Sequence, residues 1–192
     1  MLFRSEGEAE LALIISKRAV NVKAADYKQY IFGYTCFIDG SARGLPPPGN
    51  VFFQMKSRDT FCPLGPWIVT ADEIADPQKL GIELKNNGTT MQKFNTDDMA
   101  HQIPRVIEWL SSIHPLEPGD VVATGTNHRG LHSFMDGDKV ELECEGLGVL
   151  HINVRDDLKR TWSRDTRLEH ANKGLPGVQT PQLTGKYAPA KK

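Results

Sequence analysis

With 192 residues, 39% hydrophobic and 24% charged, the chain is long enough for one domain with a substantial core, and its net charge of −1 excludes a general basic field for nucleic acid. Cys36, Cys62 and Cys144 are odd in number and far apart, which excludes a disulfide framework, fits a reducing cytoplasm and reads as buried free thiols. No apolar run reaches membrane-spanning length, and the N-terminus lacks a signal-peptide core.

The first predicted element is an acidic strand. In Glu6-Gly7-Glu8-Ala9-Glu10, carboxylates alternate with tiny residues, and the apolar run Leu11 to Ile15 follows, so a strand is read over residues 8–17. Side chains i and i+2 of a strand share a face, ~6–7 Å apart. Glu8 and Glu10 therefore project together, with Glu6 in phase behind them. Such carboxylates repel one another unless a cation or a set of donors lies between them. A hard divalent ion held by oxygen is the simplest partner, and an exposed, solvated strand end is the plain alternative.

Ala24 to Phe32 reads as a short helix ended by Gly33, and Tyr34 to Ile38 as a strand delivering Asp39. Residues 44–50 form a stiff proline loop. Phe52 to Thr60 carries Lys56, Cys62 to Pro66 is a turn, and Trp67 to Thr70 a short strand; Thr70 and Glu73 have capping-box spacing. Asn86-Asn87-Gly88 between two β-prone runs, residues 81–85 and 90–94, predicts a hairpin. Thr96 can N-cap a helix over residues 97–112 whose buried stripe includes Ile103, Ile107 and Leu110. Pro104 inside that pattern predicts a kink or a late start. Strands follow at 121–124, 139–145 and 149–154, the last two joined across Gly146-Leu147-Gly148. This is a strand-rich α+β chain, read as a rolled or barrel-like β domain with peripheral helices. From Arg155 onward nine Lys and Arg face four Asp and Glu, and the pattern dissolves. The reading is a domain over residues 1–155 and an extended or partly disordered arm over 156–192, a solvated or subunit-embracing tail rather than a nucleic-acid contact.

Three pieces carry chemistry. Asp39 closes an apolar run and is followed by the small-residue turn Gly40-Ser41-Ala42-Arg43, so with Glu8 and Glu10 it makes a three-carboxylate site suited to Mg²⁺ or Mn²⁺. On repulsion alone, Glu8→Gln should weaken metal binding and slightly stabilise the metal-free fold. Lys56 near such a site can stabilise an enolate or shuttle a proton, where a plain surface lysine is the alternative. The glycine-bracketed loop Thr124 to Gly130 exposes backbone N–H groups and a threonine hydroxyl that could hold a carboxylate, against an ordinary turn.

These pieces together resemble the fumarylacetoacetate hydrolase family, in its C-terminal catalytic domain, from about Glu6 to Val154. The resemblance rests on Glu8-Ala9-Glu10 before an apolar strand, Gly33-Tyr34-Thr35 leading to Asp39-Gly40-Ser41-Ala42-Arg43, and Lys56-Ser57 with Phe61-Cys62-Pro63-Leu64-Gly65-Pro66-Trp67. It continues through Asn95-Thr96, Leu116-Glu117-Pro118-Gly119-Asp120, Thr124-Gly125-Thr126 and Glu145-Gly146-Leu147-Gly148. It implies a mixed β-roll, usually a homodimer, that binds Mg²⁺ or Mn²⁺ through Glu8, Glu10 and Asp39. It implies hydrolysis, hydration, decarboxylation or isomerisation of a 2-oxo acid or β-diketo acid through a metal-held enolate, often in aromatic catabolism. Lys56 would be catalytic, and Thr126, with Gly125 and Arg43, would contact substrate.

Two departures stand out. Glu6 occupies the place where many members carry His, and Asn127-His128-Arg129 follows Thr-Gly-Thr where many carry Pro. Arg129 can grip a carboxylate with two parallel hydrogen bonds, so a substrate with a second, distal carboxylate is expected. His128 is a candidate proton carrier, weighed against a hydrogen-bonded loop histidine. Only seven residues precede Glu8, with no histidine-bearing lid segment among them, and only His128 and His132 stand near enough to substitute. A fragment of a longer protein, or a weakly active member, is the expectation. A non-catalytic metal-binding homologue and a metal-dependent nuclease are the other classes, the latter disfavoured by the lack of a basic groove. No nucleic-acid or membrane partner is expected.

Overall fold

The computed structural model describes residues 4–44 and 52–175. The fold is built on β1 (Arg4–Ile15), whose two faces do different work. Its odd-numbered residues Ala9, Leu11, Leu13 and Ile15 enter the main apolar core, as do Tyr34, Cys36 and Ile38 of β2 (Ile31–Arg43) beside it. The even-numbered residues Glu6, Glu8 and Glu10 point the other way. Gly7, on the core face, makes room for Phe134; a Cβ there would stand 2.3 Å from the ring.

The chain continues through α1 (Phe52–Lys56), β3 (Leu64–Thr70), β4 (Gly81–Asn86), β5 (Thr89–Asn95) and α2 (Ile103–Ile113). Short strands β6 (Val121–Ala123) and β7 (Ser133–Phe134) precede the hairpin of β8 (Lys139–Cys144) and β9 (Val149–Asn153), and α3 (Arg167–Asn172) follows. One sheet has the order β3-β2-β1-β6, with β7 also on β1; the other has the order β5-β4-β8-β9. Ile82, Leu84, Val140 and Leu142 of the second sheet close the core against the first. Every named ladder among the described residues is antiparallel, so the mixed character expected of the roll does not show in these ladders. Strand-rich α+β architecture with few helices is what the sequence predicts.

Several local expectations need correction. β1 starts at Arg4, because its ladder with β2 runs back through the acidic residues to Arg43. The helix expected over residues 24–32 is a 3-10 segment, Ala24–Tyr30, and Gly33 lies inside β2. Gly33 is small because β3 crosses close by: a Cβ would stand 2.3 Å from the Val69 carbonyl oxygen. The helix expected over 97–112 begins only at Ile103, with Pro104 in its first turn, where a missing N–H costs nothing. Thr96 caps no long helix. Its hydroxyl accepts from Leu80 N and donates to the Pro77 carbonyl. Cys36 and Cys144 are buried as expected, but Cys62 is exposed.

The C-terminal segment differs from the expected arm as far as residue 175. Trp162 and His170 are buried, Arg164 grips Asp138, and Thr166 forms a complete capping box with Glu169 at the start of α3. The 45–50 part of the expected proline loop and residues 176–192 of the expected arm lie outside the described residues. No helix among the described residues is long and apolar enough to cross a membrane.

Candidate metal centre

The site exists because one neighbour of β1 is interrupted. β6 pairs with Ala12 to Ile14 and β7 with Ser5 and Glu6, so residues 7–11 face a gap in the ladder. The chain between β6 and β7, residues 124–132, loops out beside the acidic stretch. Other groups satisfy the backbone left open there. The Gln92 side chain donates to the Gly7 carbonyl (2.8 Å) and accepts from Ala9 N (3.3 Å), and Thr124 bonds the Leu11 carbonyl through its hydroxyl (2.8 Å). Polar groups cannot be left unpaired in so buried a place, which accounts for an amide at position 92.

On the other side of β1, register places Asp39 directly opposite Glu8. Oxygens of Glu8, Glu10 and Asp39 lie within 4.8 Å of one another. The three have unequal surroundings. Burial would raise the Glu8 carboxyl, but the Lys56 and Arg43 cations outweigh it and hold Glu8 below the ordinary carboxylate range. Burial raises Asp39 despite Lys56, whose Nζ is 2.7 Å away. Glu10 has no ion-pair partner among the described residues; only Gly125 N donates to it, at 2.7 Å. Burial, with Asp39 and Glu8 close by, pushes Glu10 up to about 8. A largely buried all-oxygen set whose deepest member lacks an ion-pair partner among the described residues fits a hard divalent ion.

Lys56, the last residue of α1, stands in this cluster rather than on the surface. Its Nζ also lies 2.6 Å from Ser41 Oγ and 3.0 Å from Glu8 Oε2. The guanidinium of Arg43, expected at the substrate, is instead committed to Glu6 (3.0 Å) and to Glu8. Glu6, 1% exposed, is the centre of a second cluster: Arg4 holds one oxygen (2.8 Å), and Arg43 and Arg167 share the other, Arg167 at 2.9 Å. The position where many members of the resembled family carry histidine is thus occupied by a carboxylate held by arginines.

The loop departs from expectation in the same way. The Gly125 N–H serves Glu10, and the Thr126 hydroxyl donates to Gln92 (3.1 Å), so both groups read as substrate donors already have protein partners. Gly125 adopts a positive φ of 87°, the glycine-favouring conformation that turns its N–H toward Glu10. His128 and Arg129 line a cavity of about 550 Å³ with Thr126, Asp98, Met99 and His101, and among the described residues the Arg129 guanidinium has no ion pair. Burial lowers His128, partly offset by Glu8, so the ring is neutral near pH 7 and able to accept a proton. His132 is no substitute: it is 1% exposed, pushed down to about 4 chiefly by burial, and bonded to Asn86 and the Gly130 carbonyl.

Sequence reasoning missed Gln92, Arg167 and the anchoring role of Arg43. A buried amide in a hairpin strand is a faint signal for the first; nothing local signals a contact between Arg167 and Glu6, 161 residues apart.

Comparison with known proteins agrees with this geometry. The family model described as fumarylacetoacetate (FAA) hydrolase C-terminal matches residues 4–155. A maleylpyruvate hydrolase of Aquipseudomonas alcaligenes is 39% identical over 79% of this chain and 51% of its own length. A mitochondrial oxaloacetate tautomerase of Bos taurus is 40% identical over 74% of this chain and 48% of its own. Among solved structures, maleylpyruvate hydrolase from Sphingobium sp. SYK-6, in complex with manganese(II) and pyruvate, superposes with a TM-score of 0.73 at 38% identity, covering 80% of this chain and 55% of that one. The chain therefore spans about half the length of these relatives. With the family model covering most of its length and two strands delivering the acidic cluster in register, the chain belongs to the fumarylacetoacetate hydrolase family.

Proposed function

We propose that this chain is a divalent-metal-dependent enzyme of the hydrolase, hydratase, decarboxylase or isomerase kind, acting on a 2-oxo acid or β-diketo acid. The observation that carries the reading is the convergence of two buried carboxylates, Glu8 and Glu10, with the half-buried Asp39, Glu10 having no ion-pair partner among the described residues. Glu8, Glu10 and Asp39 would hold Mg²⁺ or Mn²⁺; the manganese and pyruvate of the maleylpyruvate hydrolase neighbour support this choice of ion and of substrate class. When bound, the ion supplies Lewis-acid polarisation of neighbouring substrate oxygens.

The chain's own residues do the remaining work. The Lys56 ammonium offsets negative charge developing on an enolate oxygen of the substrate, or passes it a proton. His128, neutral and at the cavity wall, accepts or returns a proton on the substrate side. Gln92 and Gly125 hold the loop and Glu10 in place. Charge balance points to the substrate's form. Glu6, Glu8, Glu10 and Asp39 face four cations, Arg4, Arg43, Lys56 and Arg167. A divalent ion then leaves a surplus of two positive charges, which suits a dianionic substrate better than a monoanion.

The test is a panel of acylpyruvates, oxaloacetate and 2-hydroxy-dienoates, assayed with Mn²⁺ and again with EDTA. Turnover of at least one compound that disappears with EDTA is expected. A chain that binds Mn²⁺ and turns over none of them is a metal-binding homologue without catalysis. The distal carboxylate is tested at Arg129. Arg129→Ala should raise KM for a diacid by roughly ten- to a hundredfold, the scale of a lost charge-assisted hydrogen bond, and leave a monoacid unchanged. Equal effects on both substrates would take Arg129 out of recognition.

A further inference from the structure

We infer that Arg167 is a positioning residue, which from outside the family-matched span ties the His128 loop to the strand carrying the carboxylates. The family match ends at residue 155, and α3 begins twelve residues later. Arg167 opens that helix and makes two connections. Its backbone N donates to the Leu131 carbonyl at 2.9 Å, and its Nη2 donates to Glu6 Oε2 at 2.9 Å. Leu131 closes the turn that carries His128 and Arg129. Glu6 stands two residues before Glu8 on β1. One residue thus joins the last turn of the loop to β1 at the edge of the gap, beside the Glu6–Ser133 pair of β7.

The remaining ties explain why this one matters. Near its start the loop is held to β1 by Gly125 on Glu10, and through Thr126 on Gln92. Near its end, His132 accepts a link to Asn86, on the second sheet, not to β1. Ser133, two residues after Leu131, pairs with Glu6 in the β7 ladder, and Arg167 adds a second connection, from Leu131 itself, to the same residue of the acidic strand. The helix that presents it is seated independently, by the Thr166–Glu169 capping box, the buried His170 and Arg164 on Asp138. Glu6 would not be orphaned without Arg167, since Arg4 and Arg43 remain on it. Removing the Arg167 side chain therefore loosens the turn that precedes β7 without emptying the cluster, and among the described residues it leaves Arg43 as the partner of Glu6 Oε2.

The catalytic consequence rests on the function proposed above; the tie itself does not. The experiment uses the 192-residue chain with Arg167→Met, Arg167→Lys and Thr166→Ala. Hydrogen exchange is first followed without metal. The Met variant should speed exchange of amides in residues 126–131 by about tenfold or more, while β4 and β8 keep their protection. The Lys variant, which keeps a cation for Glu6, should recover most of that protection. Thr166→Ala, which frays the cap but keeps the Arg167 side chain, should stay near wild type. With Mn²⁺ and a 2-oxo diacid, the Met variant should raise KM by about tenfold while kcat and Mn²⁺ affinity change less than about threefold. Unchanged loop exchange in the Met variant overturns the inference whatever the kinetics show. Equal loosening by Met and Lys, or by Thr166→Ala, overturns the ion pair as its cause. A loosened loop in a protein whose wild type turns over nothing leaves the tie standing and refutes the proposed function instead.

Discussion

Glu10→Gln should remove Mn²⁺ binding and, without metal, make the protein more stable above pH 8. The two effects have one cause. Glu10 is the cluster member with no cation among the described residues, and its carboxyl is pushed up to about 8 by burial and by Asp39 and Glu8. A carboxyl with a raised folded-state pKa keeps its proton in the native state after the unfolded chain has released it. Native stability therefore falls as pH rises from the unfolded value of 4.5, by up to about 1.4 kcal/mol per unit, and the loss levels off near pH 8. Over that window the penalty approaches ~4–5 kcal/mol. Glutamine carries no charge to bury, and its side-chain oxygen can still accept from Gly125 N. In EDTA the variant should match wild type near pH 5 and melt at least ~5 °C higher near pH 8.5, since 1 kcal/mol moves Tm by about 2–4 °C at this size.

Metal reverses the order. For wild type to bind the ion, Glu10 must release its proton, so Mn²⁺ affinity should climb by nearly tenfold per pH unit below pH 8 and then flatten. The variant lacks that ligand and should bind at least ~100-fold more weakly, beyond the 10–100-fold typical of outer-sphere partners. Titration calorimetry at pH 6, 7 and 8 measures both. Unchanged affinity in Glu10→Gln would move the metal elsewhere. The repulsion argument applied to Glu8 from sequence is corrected at the same time. Glu8 accepts from Lys56 and Arg43, and its carboxyl lies below the ordinary range. Glu8→Gln should therefore destabilise the metal-free fold, because two partly buried cations each lose one of their two carboxylate partners, Lys56 keeping Asp39 and Arg43 keeping Glu6.

What could be read from the chain followed the range of the physics involved. Alternation in Glu6-Gly7-Glu8-Ala9-Glu10 fixes which face the carboxylates share, because strand periodicity is local. That Asp39 stands opposite Glu8 follows from the β1–β2 register, which the apolar runs before and after constrain only jointly. The hairpin at Asn86-Asn87-Gly88 and the late start of α2 at Pro104 are likewise local. The partners of Arg43, Gly125 and Thr126 were not legible. A free N–H or guanidinium looks the same in sequence whether it meets a substrate or a neighbouring carboxylate. The interruption between β6 and β7 was also hidden, since two strands of three and two residues carry almost no periodic signal. Arg167 lay in a stretch whose composition reads as a tail, although its order comes from arginines meeting buried acids far away in the chain.

Lys56→Met should lower kcat at least ~100-fold while leaving Mn²⁺ bound at least as tightly as in wild type. The argument starts from α1, a five-residue helix whose last side chain turns into the cluster. There Lys56 Nζ meets Asp39, Ser41 and Glu8 at 2.7, 2.6 and 3.0 Å. Two roles are open to a cation in that place. It can neutralise the carboxylates when no metal is present, or it can act on negative charge that develops in the substrate. The first role predicts that methionine, similar in length and uncharged, strengthens metal binding by removing a competitor for Glu8 and Asp39, with turnover nearly intact. The second predicts the same or tighter Mn²⁺ binding but a collapse of kcat, with KM changed far less, because the lost interaction belongs to the transition state. Mn²⁺ titration and steady-state kinetics on one preparation separate the two. Activity within a few-fold of wild type would make Lys56 a counter-ion of the metal-free site and leave His128 as the remaining candidate proton carrier.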